Sequence, residues 1–416
     1  MRDYDVVVIG AGAAGLMAAA TSARNGNRTV ILEKMEKPAR KVRITGKGRC
    51  NITNSRSLEE FRQKIKVNAD FVMPSLISFS NEDTVKFFES EVVKLNFERG
   101  GRVFPASGKA WDVADALVNF ARKNGAEIKT YSRVNKLKIN DNKISGVEVV
   151  NKNCKKSILT AANVILATGG ASYPSTGSTG DGYTLAHGAG HNIIDIRPSL
   201  TPLVIANKYK TLNGLLLKNI SASLIIDGNK IWSEFGEMEF IDGTASGAAI
   251  LKLSRNAVDA VSEGSDVSIS LDLKPALSIE KLKGRIKREL EKLRSGGSLR
   301  IIIEKLLPRK MVNLFISECG FRPDIKPDLI NETIIEGIVS KLKNWEIRIV
   351  DYCPFTHAIV TAVGVDTDEI NPDTMQSKLV EGLYFAGEII DVDADTGGYN
   401  LQIAFSTGKL AGELKK

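Results

Sequence analysis

Histidine, tryptophan and cysteine are scarce: 3, 3 and 4 in a chain of 416 residues. The cysteines, Cys50, Cys154, Cys319 and Cys353, show no C-x-x-C spacing. With only His187, His191 and His357 beside them they make no zinc pattern, so no metal is expected. Unpaired thiols fit a reducing compartment, and a cytoplasmic location is expected. No run approaches the ~20 apolar residues that a membrane-spanning helix needs. The apolar start is not expected to be a secretory leader either, since Asp3 and Asp5 precede it and glycines interrupt it. Internal repeats and low-complexity linkers are absent.

What is present is an ordinary globular composition, 43% hydrophobic and 25% charged. A chain of this length exceeds what one core usually supports, so two or three domains are expected. Lysine and arginine total 57 against 49 acids, a difference of +8, and the pI is about 9.1. The densest basic stretches are Lys34 to Arg49, Lys281 to Lys292 and Lys305 to Lys310. The cations are otherwise dispersed. This is the pattern of a solvated surface, and neither a nucleic acid nor a membrane is expected as partner.

The opening reads strand, glycine turn, helix, strand. Asp5 to Ile9 is a continuous β-branched run, as in a strand covered on both faces. Gly10-Ala-Gly12-Ala-Ala-Gly15 follows, then an alanine-rich helix to Arg24, then the strand Thr29 to Leu32 ending at Glu33. Residues 34–57 read as a long basic loop, with helices near 58–66 and 82–95. Gly100 to Pro105 reads as a hairpin or extended segment, and Asp112 to Lys123 as an amphipathic helix. Three strand-like segments cover about 127–160, and Asn163 to Ala167 reads as a further buried strand. From about 195 to 355 the character changes to alternating strands and, over 278–343, short helices. The first pattern returns at Gly382 to Gly387 and a closing helix from Gly398 to Leu414. The first domain is therefore interrupted by an insert and completed by the end of the chain.

The spacing Gly10-x-Gly12-x-x-Gly15 between strand and helix is the dinucleotide fingerprint. The first glycine permits the turn, the second lets backbone approach a pyrophosphate, and the third lets helix pack on strand. The helix start then offers free N–H groups and the positive dipole end to the phosphates. Glu33, near ~20 residues further on, is placed for an adenosine ribose. A second glycine-bearing strand–helix, Gly387-Glu388 and Gly397 to Leu401, suits a longer ligand with a ring system distant from its pyrophosphate, which favours FAD over NAD.

Across the chain, Gly46-Lys-Gly-Arg-Cys-Asn-Ile-Thr-Asn54, Gly101-Arg-Val-Phe-Pro105, Ala167-Thr-Gly-Gly-Ala-Ser-Tyr-Pro174, Thr176-Gly-Ser-Thr-Gly-Asp-Gly-Tyr183, Thr374-Met-Gln-Ser-Lys378, Gly382 to Glu388 and Thr396-Gly-Gly-Tyr-Asn-Leu-Gln402 stand in order. On these the chain resembles the YhiN/BaiN-like family of bacterial FAD-binding oxidoreductases, with members assigned as an aminoacetone oxidase and a bile-acid dehydro-reductase. The resemblance implies an α/β fold: a Rossmann-like FAD domain of the glutathione-reductase-like type (1–194 and 356–416), an inserted β-barrel-like part (195–274 and 344–355) and a small helical part (275–343). It implies non-covalent FAD held by Gly10, Gly12, Ala14 and Gly15 at the pyrophosphate and by Glu33 with Lys34 at the ribose. Arg40, Lys41, Gly48 and Asn51 match the basic segment alongside FAD, and Val134 the adenine contact. Thr168 and Gly169 match the strand end that passes the cofactor. Gly387, Glu388, Asp391, Gly398, Asn400 and Leu401 match the segment around ribityl and flavin. The chain departs from the family pattern at Ala39, Ile241-Asp242, Ala245 to Ala248 and Val363, mostly inside the insert, so the cofactor carries over more securely than any substrate.

No catalytic side chain is assigned. Cys50 lies in a basic loop that could lower its pKa, or is a small packed residue beside the cofactor. Tyr173 and Tyr399 face the same choice between substrate contact and aromatic packing, and His357 between general acid and structural histidine. NAD(P)H is a possible transient donor, although no second nucleotide fingerprint marks a site for it. The expected activity is FAD-dependent oxidation or reduction of a small or hydrophobic organic substrate. The alternatives are an amine oxidase using oxygen, an RNA-associated flavoprotein of the tRNA-modifying kind, and a non-catalytic flavin sensor. Oligomeric state is open.

Overall fold

The computed structural model describes residues 2–293 and 296–414. It divides into two compact units, Met1–Ser199 with Phe355–Lys416, and Leu200–Pro354.

The first unit is built on a seven-stranded sheet. Strand β1 (Tyr4–Ile9) leads into helix α1 (Ala13–Arg24) and strand β2 (Thr29–Leu32). The spatial order is Glu127–Lys129, β2, β1, Lys156–Leu166, Lys143–Val150 and Arg133–Asn140, with Leu383–Phe385 also paired to Lys156–Leu166. The pairings among Glu127–Lys129, β2, β1, Lys156–Leu166 and Leu383–Phe385 are parallel. The antiparallel pairs Arg133–Asn140/Lys143–Val150 and Lys143–Val150/Lys156–Leu166 extend the sheet on one side. Val6, Val7 and Val8 are wholly buried, which is why the run shows no polar alternation. The segment expected as separate strands before 160 and after 163 is one 11-residue strand, Lys156–Leu166. Its more exposed first half pairs with Lys143–Val150 and its buried second half with β1, so one strand shows two hydropathy patterns. The closing helix is Tyr399–Gly412. Inside the expected basic loop lies a short helix, α2 (Arg40–Ile44). The helices expected near 58–66 and 82–95 are Leu58–Arg62 and Asn81–Ser90, each opened by a serine capping box, and between them stands Ala69–Ser78. Pro74 inside that last helix is what hides it from a sequence reading.

The second unit is a closed antiparallel barrel in the order Leu203–Ile205, Thr244–Ser246, Asn229–Ile241, Leu216–Ile226, Val267–Asp272, Trp345–Tyr352. Trp345, Ile347 and Ile349 are buried while Glu346, Arg348 and Val350 are exposed, the period-2 pattern of a strand with one face on the core. The helices Ile279–Lys292, Leu299–Glu304, Arg309–Glu318 and Glu332–Lys343 share that core: Leu282, Leu299, Met311 and Ile338 pack in one cluster with Leu203, Leu224 and Trp345.

Candidate cofactor and active site

The glycine turn sits where β1 ends against the strand end Leu166–Ala167. Gly10 takes φ +100°. A β-carbon on Gly15 would stand 1.9 Å from the Gly10 carbonyl oxygen, so only glycine lets α1 come this close to the turn. Gly12 is the N-cap of α1 and supplies no side-chain cap, and no acid occupies the first turn. The first N–H groups of the helix are therefore left for an external acceptor. A β-carbon on Gly12 would meet no atom within 4 Å. An open cradle in front of unsatisfied donors fits a pyrophosphate. Ala14 packs in the first turn of α1, and Gly387 lies against it at the exit of Leu383–Phe385, so both glycine segments converge on this helix.

Glu33 ends β2 beside this turn. Its Oε2 accepts from Ala11 N at 2.9 Å and its Oε1 from Met35 N at 2.8 Å. Burial pushes its carboxyl up from the ordinary value, against the lowering by these two bonds. Each oxygen keeps a lone pair for a ribose hydroxyl. Lys34 is spent on Asp181, at 2.8 Å to both oxygens, and on Thr179 Oγ1 at 2.6 Å. Val134 is buried in the sheet, paired with Val149.

A network the sequence reading missed lies at the far side of the sheet end. Lys41 Nζ on α2 donates to Glu388 Oε2 at 2.7 Å and to Ser172 Oγ at 2.6 Å. Ser172 Oγ donates to Glu388 Oε1 at 2.8 Å, which also accepts Thr361 N at 2.8 Å. Thr361 Oγ1 in turn accepts Ala171 N. Four chain segments distant in sequence are thereby locked together, and Gly170 is their meeting point: a β-carbon there would stand 2.3 Å from Thr361 Oγ1. Ser172 and Thr361 carry no spacing signal, and only the crowding of glycines at 169–170 hints at a close approach.

Other expected residues are placed as follows. Arg40 pairs with Glu36 and donates to Ser175 O at 2.9 Å. Gly48 follows Gly46 and Lys47 in a turn of positive φ, and Asn51 Oδ1 is buried without a hydrogen bond. Thr168 and Gly169 leave the strand end, with Thr168 Oγ1 against Gly182. Asp391 is buried and accepts Asn68 Nδ2 at 3.0 Å. Gly398 caps the closing helix. Asn400 accepts Ala394 N at 3.0 Å and donates to Ala394 O at 2.8 Å, so its amide clamps the preceding loop. Leu401 packs on the core.

The catalytic candidates do not converge. Cys50 is fully buried, and burial alone pushes its thiol far up, the reverse of the lowering a basic loop would give. Arg43 and Arg49 of that loop are engaged by Asp115 and Glu98. Tyr399 is buried edge-on to Phe61 at 4.7 Å, and its hydroxyl is pushed up to about 12 by burial. Tyr173 takes φ +53° and binds through backbone, its N–H to Phe355 O at 3.0 Å. His357 is exposed in a turn before the strand Val360–Ala362, beside Thr356 Oγ1 at 2.9 Å. His187 is exposed at a helix end, whereas His191 is buried between Glu369 Oε2 at 2.9 Å and Ser377 Oγ at 2.8 Å. Among the described residues no group of histidine, cysteine and acids could hold a metal ion, and no helix is long and apolar enough to cross a membrane.

A sheet with a parallel centre, the glycine turn, an acid closing β2 and a second glycine segment on the same helix are the features of Rossmann-type FAD-dependent oxidoreductases. The chain belongs to the HI0933-like family: the model described as the HI0933-like protein Rossmann domain matches residues 4–414. It is 31% identical to a Haemophilus influenzae protein named ribosomal RNA dihydrouridine synthase, over 96% of each chain. It is 29% identical to a Clostridium scindens protein named 3-dehydro-bile acid delta(4,6)-reductase, over 97% of each. Among solved structures it shares the fold of the 3-ketosteroid delta1-dehydrogenase of Sterolibacterium denitrificans, with TM-score 0.53 at 15% identity, over 99% of this chain and 98% of that one.

Proposed function

We propose that the protein is a flavin-dependent reductase of a carbon–carbon double bond conjugated to a carbonyl, and that the bond is the C5=C6 bond of uracil in ribosomal RNA. The two relatives are named for substrates that look unlike each other, yet both names describe this electron demand. A delta(4,6) diene conjugated to a 3-oxo group and a uracil ring each accept hydride at the carbon remote from the carbonyl. The observation that carries the RNA reading is the 31% identity along 96% of the chain to a protein of that name, and the net charge of +8 supports it. The expectation of a solvated surface without nucleic acid is not confirmed by this similarity. The full-length similarity to the bile-acid reductase favours a free dienone as the second reading.

In this reading FAD supplies the hydride chemistry. The N-terminus of α1 and the open space at Gly12 hold the pyrophosphate, and Glu33 accepts from the ribose. Lys41, Ser172, Glu388 and Thr361 fix the strand end and the C-terminal segment against each other. Gly169, Asn51 and Asp391 are the residues that would lie beside FAD by the family resemblance. NAD(P)H is the proposed electron donor and the cytoplasm the proposed location. The test is anaerobic reduction of the purified protein by NADH or NADPH, followed at the flavin band near ~450 nm, and then reoxidation by acceptors. Bleaching by a nicotinamide and recovery with protein-free ribosomal RNA, together with dihydrouridine in the product, is expected. Recovery with an oxo-steroid dienone and none with RNA would select the second reading. No bleaching by either nicotinamide would sink the donor assignment.

A further inference from the structure

The three basic stretches are treated differently by the fold. In the first, Lys34, Arg40, Lys41, Arg43 and Arg49 are each set against an acid: Asp181, Glu36, Glu388, Asp115 and Glu98. The helix Ile279–Lys292 of the second unit divides its cations between two faces. On one face Lys283 and Lys287 reach Glu336 and Glu332 at 2.7 Å each; Lys292, four residues after Arg288 on the other face, reaches Glu289 at 2.9 Å. Lys281, Arg285 and Arg288 stand at i, i+4 and i+7, one face of the helix. Among the described residues no acid is paired with any of the three, and Arg285 has only the Lys305 carbonyl at 3.4 Å. They line a groove of about 390 Å³ together with Leu277, Glu280 and Gly284. Glu280, the acid at its rim, is held below the ordinary carboxylate range first by its own backbone N–H, then by the hydroxyl of the capping Ser278, with the charge of Lys283 adding less. Gly284 keeps the floor open: the only atom near a β-carbon there would be Arg288 Nη1, at 3.6 Å.

We infer that this groove binds the phosphodiester backbone of the RNA substrate, with Lys281, Arg285 and Arg288 as phosphate ligands. Three uncompensated cations on one helix face repel each other and gain from an anion that bridges them. The spacing favours a polymer of phosphates over a single one, because i to i+7 is two turns, or ~10 Å along the axis, which spans successive phosphates. Lys274, half-buried, feels the same crowding: burial first, and then the charge of Arg285, hold its ammonium below the usual lysine range. The choice of RNA among polyanions rests on the function proposed above, while the groove rests on charge geometry alone.

The experiment compares two triple variants of the holoenzyme, matched in net charge. K281Q/R285Q/R288Q removes the groove face, and K283Q/K287Q/R300Q removes three ion-paired cations, two on the opposite face of that helix and one on the helix Leu299–Glu304. Binding of protein-free ribosomal RNA is measured by fluorescence anisotropy between ~50 and ~200 mM salt. The groove variant should lose about 10-fold or more in affinity at the lower salt, and its log–log salt slope should fall by about 2 to 3, at ~0.7 to 0.9 for each phosphate no longer neutralised. The ion-paired variant should keep the wild-type slope. A groove variant that binds as wild type, or two variants that bind alike, overturns the groove while leaving the RNA function intact. A wild-type protein that binds no RNA at ~50 mM salt, or prefers phosphatidylglycerol vesicles, overturns both. Should the groove variant not fold, lysine acylation footprints on wild-type protein decide: RNA should shield Lys281 more than Lys287, and equal labelling with and without RNA refutes the site.

Discussion

Replacing Gly12 by alanine separates cofactor binding from folding. The position is extended, with φ −84° and ψ −168°, a conformation alanine adopts without strain. Its β-carbon would meet no protein atom within 4 Å. The entropy gained from stiffening the unfolded chain, ~0.4–1 kcal/mol, is offset by alanine's poorer N-capping, which costs a similar ~0.5–1 kcal/mol. The apoprotein should therefore melt within about 2 °C of wild type. The methyl group projects into the space assigned to the pyrophosphate, where overpacking costs ~1–3 kcal/mol, or about 5- to 150-fold in FAD affinity. The assay titrates apoprotein with FAD by quenching of flavin fluorescence, and melts the apo forms in parallel. FAD binding to the variant with wild-type affinity would refute the cradle. Gly15→Ala is the contrast: its β-carbon stands 1.9 Å from the Gly10 carbonyl oxygen, and the strain should lower the stability of the apoprotein itself by ~2 kcal/mol or more.

Two further predictions concern groups the chemistry does not use. Native protein treated with a thiol reagent at pH 8 should be labelled first at exposed Cys154, with Cys50 and Cys353 spared until unfolding, as mass spectrometry would show; early labelling of Cys50 would contradict its buried, raised thiol. Burial, partly opposed by Glu369, lowers the His191 pKa below 6.5. The unfolded chain then takes up the proton at higher pH than the folded one, so this contribution to stability is full above pH 6.5 and is lost as pH falls through the folded value. Denaturation curves between pH 7.5 and 5 should accordingly be flatter for His191→Gln, and equal slopes would refute the assignment.

The legible parts of the molecule are those governed by local rules. A β-branched run, three glycines and an acid at set spacing are enough to place β1, α1, β2 and the pyrophosphate cradle, because the turn's steric demands fall on consecutive residues. The period-2 alternation of the last barrel strand is likewise written in its own residues. Where two rules compete along one segment the reading fails: Lys156–Leu166 is one strand with an exposed half and a buried half, and Ala69–Ser78 is a helix that carries a proline.

Charge is the property that sequence states and tertiary structure decides. The count of cations and their clustering in 34–49 and 281–292 are plain in the chain. The first cluster suggested an activated thiol at Cys50 because its acids lie elsewhere in sequence: Glu98, Asp115, Asp181 and Glu388 arrive only on folding. The second cluster is interrupted by acids in sequence, yet folding sets Lys283 and Lys287 against the helix Glu332–Lys343 and Glu289 against Lys292 and Lys305, and leaves Lys281, Arg285 and Arg288 with no paired acid among the described residues. Electrostatic energy depends on distance through space, so residues far apart along the chain set it. Neighbouring residues alone are enough for the glycine turn, whereas contacts made on folding set which cations are neutralised and which stay open to a ligand.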